Sequence, residues 1–331
     1  MASLTFLLGL SAAVTLAVGQ DCTAGNAVNY NLREVGQRNT LDWRMWLQRD
    51  NTPISFWHDV PLWPNETNRR VVNMVVEIPR WVDGKIEISR DEPLNPIFHD
   101  SRNDAPRYVE SVWPHKSYPF LYGSIPQTWE SPNFNHSFTG EPGDNDPVDI
   151  FDIGQDAGYV GQIKQAKILG GLALNDGGET DWKIIAVDVN DPLAPLVNSY
   201  EDVETYRPGL LKAYRDWFTY YKVARGDGLI EIVEDNYQNA SFIQTILEDS
   251  HDTWLELIRG EVDSNEINYN QTTRPGAGGS YVNASSTVEA FDIPRSNTSQ
   301  PAAQKPARFE EWYYLNWDFS LAELPTSNGT C

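Results

Sequence analysis

The chain has 331 residues, 47 acidic and 25 basic side chains, and a formal net charge of −22. Hydrophobic residues at 40% and charged residues at 22% are ordinary for a globular chain and exclude general disorder. Such an excess of acid leaves no basic face for counterion release, which excludes a nucleic-acid binder. An anionic substrate remains open, because divalent cations gathered by carboxylates invert the local charge.

In chain order, Leu4 to Val18 is an unbroken run of apolar and small residues ending in Ala17-Val18-Gly19. It is too short for a transmembrane helix and reads as a secretory signal peptide cleaved after Gly19, residues 1–19. No second apolar span follows, so no stable membrane anchor is expected. Residues 71–90 alternate with period two around Asp83-Gly84 and predict a hairpin, with Ile86 and Ile88 on one face and Lys85 and Glu87 on the other. Further strands are predicted over 148–153, 158–169 and 182–190. Helices are predicted from Pro208 to Lys222, where Leu211, Tyr214, Trp217, Phe218 and Tyr221 recur at helical spacing, and over 241–258. Strands in the middle followed by helices indicate an α+β fold rather than alternating βαβ units. Residues 20–263 form the expected catalytic domain. From 264 to 306 the composition turns to Asn, Ser, Thr, Gly, Pro and Gln, a polar loop or partly disordered tail with no packing pattern. Residues 307–331 carry the aromatic cluster Glu311-Trp-Tyr-Tyr314, expected to dock back on the domain.

Seven acceptor sequons support export, at Asn65, Asn135, Asn239, Asn270, Asn283, Asn297 and Asn328. The two cysteines, Cys22 and Cys331, stand at the ends of the mature chain. They either join the termini or remain separate thiols; a paired-cysteine zinc or redox site is excluded by the count. The expected address is the secretory pathway, whether secreted, lumenal, vacuolar or in a cell wall.

The densest chemical signal is Gly143-Asp-Asn-Asp-Pro-Val-Asp149-Ile150, three carboxylates within six residues beside an apolar strand. These are hard oxygen donors suited to Mg²⁺; the glycine and closing glutamate of an EF-hand loop are missing. Acids also interrupt apolar strands at Glu77 and Glu87, and Asp176 and Asp181 flank a predicted turn, with Asp181 and Lys183 on one side of a strand. Singly, each is an ordinary solvated position, but several carboxylates buried together need cations to neutralise them. Lys85, Arg107, Lys183 and Lys222, with the phenols of Tyr118, Tyr122 and Tyr221, supply groups for phosphate oxygens. No P-loop, Gly-x-Ser-x-Gly elbow or Cys–His nucleophile pairing occurs, which leaves direct attack by a metal-activated water.

Glu141-Pro-Gly-Asp-Asn-Asp-Pro-Val-Asp-Ile150 resembles the Asp-x-Asp-Pro-x-Asp signature of soluble, magnesium-dependent inorganic pyrophosphatases. From about Leu32 to Ile258 the chain is similar to their longer eukaryotic, fungal form. Met74-Val-Val-Glu-Ile-Pro-Arg-Trp81, Tyr122-Gly-Ser-Ile-Pro-Gln-Thr-Trp-Glu130, Gly178-Glu-Thr-Asp-Trp-Lys183 and Asn190-Asp-Pro-Leu-Ala-Pro195 carry the likeness in the same order. It implies a five-stranded, OB-like β-barrel flanked by helices, with extended terminal segments, forming a homodimer. It implies metal ligation by Glu87, Asp144, Asp149, Asp176 and Asp181, with Glu77 acting through water. Pyrophosphate and phosphate binding would fall to Lys85, Arg107, Tyr118, Tyr122, Lys183, Tyr221 and Lys222. Asp146 would be the general base, with Tyr122, Lys85 and Arg107 completing the catalytic set. Several Mg²⁺ ions are implied, with Mn²⁺ or Zn²⁺ as substitutes and Ca²⁺ inhibitory. The sequence departs from the fungal pattern before Tyr118, where Lys116 and Ser117 stand in place of His and Gly. Rival readings are a secreted calcium- or phosphate-binding protein on the same scaffold and a broader nucleotide or polyphosphate phosphatase.

Overall fold

The computed structural model describes residues 29–323, so the leader, Cys22, Cys331 and the Asn328 sequon lie outside the described residues. The principal strands are β1 (Tyr30–Gln37), β2 (Arg44–Arg49), β3 (Val71–Ile78), β4 (Ile86–Ile88), β5 (Ile97–His99), β6 (Leu121–Ser124), β7 (Asp149–Asp152), β8 (Ile163–Asn175) and β9 (Thr180–Asp188). Helices α1 (Tyr200–Tyr206), α2 (Leu210–Tyr220) and α3 (Ala240–Arg259) follow, then the short strands β10 (Thr298–Gln300) and β11 (Trp312–Tyr313). The fold is mixed α+β, as expected. Among the described residues, no helix is long and apolar enough to cross a membrane.

Strands β10, β1, β2, β5 and β4 pair in that order in one sheet. In the other, pairing passes from β3 to β6, β7, β9 and β8, and β8 pairs back to β3. Alternation along these strands buries both faces. Trp182, Ile184 and Ala186 of β9 join one apolar cluster, while Ile185 and Val187 join another that includes Leu211, Trp217 and Phe218 of α2. Helix α2 covers that second face because its apolar residues recur every three or four positions. Asn239 caps α3 by accepting from Phe242 N, and Gly260 closes it at φ 68°.

Four sequence expectations differ in detail. The 71–90 segment contains both predicted strands, but they do not form a hairpin. Pro79 supplies no donor to continue β3, Trp81 turns the chain at φ 70°, and Gly84 bridges to Tyr108 while β4 pairs with β5. The strand expected over 158–169 begins only at Ile163, after left-handed turns at Gly158 and Gly161, and runs on to Asn175. Gly209 at φ 83° delays α2 to Leu210, and the helix ends at Tyr220, so Tyr221 and Lys222 stand just beyond it. The 264–306 stretch, polar as it is, packs on the body. Ile267, Ala277 and Ile293 are buried, β10 pairs in parallel with β1, and the buried Asp59 accepts from Thr272 N and Thr273 Oγ1. The aromatic segment docks through β11, which pairs with Ser111 and Val112, and through Trp312 edge-on to Trp113.

Candidate active site

Strand period and register bring the acids together. Asp181 and Lys183 share the face of Ile185 and Val187, and Asp149 shares that of Phe151. Asp149 lies directly opposite Lys183 in the parallel β7–β9 pair. A bulge at Tyr122 and Gly123 turns Tyr122 on β6 toward the same place. Only glycine fits beside it, since a Cβ at Gly123 would lie 1.9 Å from Val75 O.

The Asp144–Asp146 turn is held against Trp129 to Ser131. Asn145 N and Gly143 N donate to Glu130 O and Ser131 O, and Glu130 N donates to Asp146 O. A Cβ on Gly143 would come within 2.3 Å of the Glu130 carbonyl. Asn145 adopts φ 70°, accepts from the buried Trp129 Nε1 at 3.0 Å and donates to Asn265 O at 3.0 Å. The polar 264–306 stretch thus props the loop that carries the densest acidic motif.

The result is a polar cavity of about 360 Å³. It gathers Lys85, Glu87, Arg107, Tyr118, Tyr122, Asp144, Asp146, Asp149, Asp176, Asp181, Lys183, Tyr221 and Lys222, every proposed site residue except Glu77. Glu77 lies behind the wall, where its Oε1 accepts from Ile88 N and Ser124 Oγ. Sequence reading missed Arg90, Asp100 and Glu179 on the rim, and Trp217 and Phe218 of α2. Helical spacing assigns Trp217 and Phe218 to the apolar stripe alone. Tyr118 takes φ 45° and follows a fully buried Ser117, whose Oγ donates to Val109 O; its ring lies 5.2 Å from that of Tyr122.

Charges are paired across the cavity. Lys183 Nζ bonds Asp149, Asp181 and Tyr122 Oη, and Lys222 bonds Asp176. Lys85 meets Glu87 at 2.7 Å, Arg107 meets Asp100 at 2.7 Å, and Arg90 Nε stands 3.5 Å from Asp146. Backbone bonds tie three of these groups in a loop: Lys85 N donates to Arg107 O, Arg107 N to Asp100 O, and Asp100 N to Lys85 O.

The acids repel one another as well. Burial, reinforced by Asp149, raises Glu77 to about 8. Burial raises Asp146 to about 7 against the pull of Arg90, although 39% of its side chain still meets water in the cavity. Asp181 rises to about 6, through burial and Asp149, with Lys183 opposing. Burial and neighbouring carboxylates push Asp144 and Glu130 well above the carboxylate range. Burial alone would raise Asp176 too, but the bonded Lys222 brings it below its usual value. Lys183 would be lowered by burial, yet Asp149 and Asp181 carry it well above the ordinary lysine value.

Among the described residues, Glu130, Asp144 and Asp181 each offer a carboxylate oxygen within 4.8 Å of the others. Glu130 accepts from Trp182 N through Oε1, while its buried Oε2 has no partner among the described residues. An unpaired acceptor facing two repelling carboxylates is the donor set a divalent cation fits. Sequence reading quoted Glu130 inside a motif without giving it a role. The available signal was an acid closing the charge-free run from Ser117 to Trp129.

A family model described as inorganic pyrophosphatase matches residues 74–255. The chain is 42% identical over 291 residues to the inorganic pyrophosphatase of Zygosaccharomyces bailii, covering 87% of this chain and 99% of that one. It is 41% identical over 290 residues to that of Candida albicans, covering 87% and 98%. Among solved structures, it superposes on inorganic pyrophosphatase from Schistosoma japonicum with a TM-score of 0.80 and 36% identity, over 86% of this chain and all of that one.

Proposed function

The chain belongs to the inorganic pyrophosphatase family and hydrolyses pyrophosphate to two phosphates, and from this premise we propose how its own residues divide the work. The observation that carries the proposal is the meeting of carboxylates and cationic side chains in one polar cavity. Asp144, Asp149, Asp176, Asp181 and Glu87 hold divalent cations, with Glu130 beside Asp144 and Asp181 and with Glu77 acting through water. When bound, these ions, magnesium first, neutralise the crowded acids, screen the diphosphate charge and acidify water. Lys85, Arg107, Tyr118, Tyr122, Lys183, Tyr221 and Lys222 bind and orient the diphosphate oxygens. A water oxygen bonds to one phosphorus, the bridging P–O bond breaks, and the second phosphate leaves with the bridging oxygen. Asp146 takes the proton of the attacking water, a role suited to a carboxyl raised to about 7.

Around this centre, the ring of pairings among β3, β6, β7, β9 and β8 supports reading those strands as the five-stranded, OB-like barrel of the family. The reading includes the homodimer that the family likeness implies. The apolar leader and sequons support entry into the secretory pathway, with residues 1–19 removed and 20–263 catalytic; buried Ile267, Ala277 and Ile293 and the pairing of β11 with Ser111 and Val112 support the described part of the tail docking on that domain. Phosphate release from pyrophosphate, ATP and tripolyphosphate, with magnesium, manganese, zinc or calcium, tests the catalytic reading. Selective turnover of pyrophosphate with magnesium is expected, with manganese or zinc as weaker substitutes and calcium inhibitory. Equal turnover of ATP, or full turnover with calcium alone, would overturn it.

A further inference from the structure

His99 ends β5 opposite Ile86 of β4 and is only 1% exposed. It does not line the active-site cavity; it lines a separate one of about 240 Å³, beside Trp43, Val82 and Ile86. Its Nε2 lies 2.7 Å from Arg107 O. A carbonyl oxygen only accepts, so Nε2 carries the hydrogen and Nδ1 of the neutral ring is bare. That Nδ1 is buried and has no partner among the described residues, so a second ring proton would find no acceptor. Burial accordingly lowers the histidine below its usual value, against the pull of Arg107 O and Asp100.

Arg107 O is a junction. It accepts from Lys85 N at 2.9 Å as well as from His99, so both of its lone pairs are engaged. One oxygen therefore ties together the backbones of the two cations Lys85 and Arg107. The imidazole is seated against the chain on either side of that junction. A Cβ on Gly84, the residue before Lys85, would lie 3.2 Å from His99 Cε1. Tyr108, the residue after Arg107, meets the ring edge-on at 4.9 Å between centroids, and Phe309 of the tail packs on Tyr108 in turn. Asp100, next to His99, holds the other end of Arg107, its Oδ2 accepting from Nη1 at 2.7 Å.

We propose that His99 is a positioning residue, whose hydrogen bond from Nε2 to Arg107 O holds Lys85 and Arg107 in register for the diphosphate oxygens. The inference rests on the assignment of those two cations to substrate binding. Without the imidazole donor, Lys85 N alone would hold the carbonyl, and both cations would shift with it. A misplacement near 1 Å at such groups can cost about 10²-fold in rate.

The test compares His99→Gln with His99→Leu in the full chain with saturating magnesium, at a temperature where circular dichroism shows each variant folded. The glutamine amide offers a donor in place of Nε2, whereas leucine fills the space without one. The leucine protein should lose about 10- to 10²-fold in kcat/KM for pyrophosphate, and glutamine should regain most of it. Binding of inorganic phosphate, read by calorimetry, should weaken and recover in the same order, which a mere loss of stability in a folded variant would not produce. A leucine protein with wild-type kcat/KM, or a glutamine protein as impaired as the leucine one, overturns the proposal. Nitrogen NMR of the wild-type imidazoles does not depend on any variant's folding, apart from assigning His99 by its absence from the His99→Gln spectrum. A bare Nδ1 and a protonated Nε2 are expected there, and the opposite tautomer overturns the proposal as well. Wild-type protein that binds phosphate but releases none from pyrophosphate would sink the catalytic reading instead, with the binding and NMR tests of His99 still in force.

Discussion

Asn145 separates Asp144 from Asp146, and its replacement tests how the acidic loop is held. Asn145→Ala removes the acceptor of the buried Trp129 Nε1 and the donor to Asn265 O. Leaving a buried donor unpaired costs about 1–3 kcal/mol. Alanine also lacks asparagine's tolerance of the left-handed backbone at φ 70°, which adds roughly 1 kcal/mol. The variant should therefore lose about 2–4 kcal/mol of stability. Asn145→Gly breaks the same two bonds but accepts the backbone freely, so it should recover about 1 kcal/mol of that loss. The flanking carboxylates move with the loop, and a displacement near 1 Å can cost about 10²-fold in rate. Urea unfolding with saturating magnesium reads stability, and pyrophosphate hydrolysis reads kcat/KM. The expected order in both is wild type, Asn145→Gly, Asn145→Ala. If the alanine protein matches wild type, or glycine is as damaging as alanine, the backbone argument fails.

Asp146→Asn keeps the shape but removes the basic oxygen, so kcat should fall by roughly 10²–10⁴-fold at saturating magnesium. Recovery of near-normal kcat at high magnesium would make Asp146 a ligand instead. Magnesium binding should release protons at pH 6, because Asp146 and Asp181, raised to about 7 and about 6, still carry part of their protons there. Calorimetric titrations in buffers of different ionisation enthalpy should show this release shrinking as the pH rises from 6 to 8.5 and Asp146 and Asp181 lose their protons; a pH-independent release would contradict it. Burial holds His58, between Trp57 and Trp254, neutral down to about 3, against the pull of the Asn268 carbonyl. The unfolded chain protonates that histidine near pH 6.5, so its contribution to stability falls on acidification from there towards 3, by about 1.4 kcal/mol per pH unit. His58→Gln should flatten the stability profile below pH 6.5 by close to one proton, and an unchanged slope would exclude this account.

Period and composition were enough for much of the site. Two-residue alternation put Asp181 and Lys183 on one side of a strand, and three carboxylates around Pro147 marked the acidic loop. Helical spacing found α2 and α3 to within a few residues at each end. The false hairpin shows where that reasoning stops. Alternation tells which residues share a face, but it does not name the neighbouring strand, and β4 pairs with β5 rather than with β3. Glu130 escaped notice because its meaning depends on Asp144 and Asp181, which are 14 and 51 residues away and reach it only through the fold.

The sequence by itself determined the α+β class, the acidic and cationic residue types and the family likeness, because these rest on local pattern and chemistry. Tertiary structure alone decided which groups meet. It set Asp149 opposite Lys183, left the Glu130 Oε2 unpaired beside two carboxylates, and brought the polar 264–306 stretch back to brace Asn145. Such contacts join residues far apart in the chain. The cost of burying their charges depends on what surrounds them, which no local pattern records.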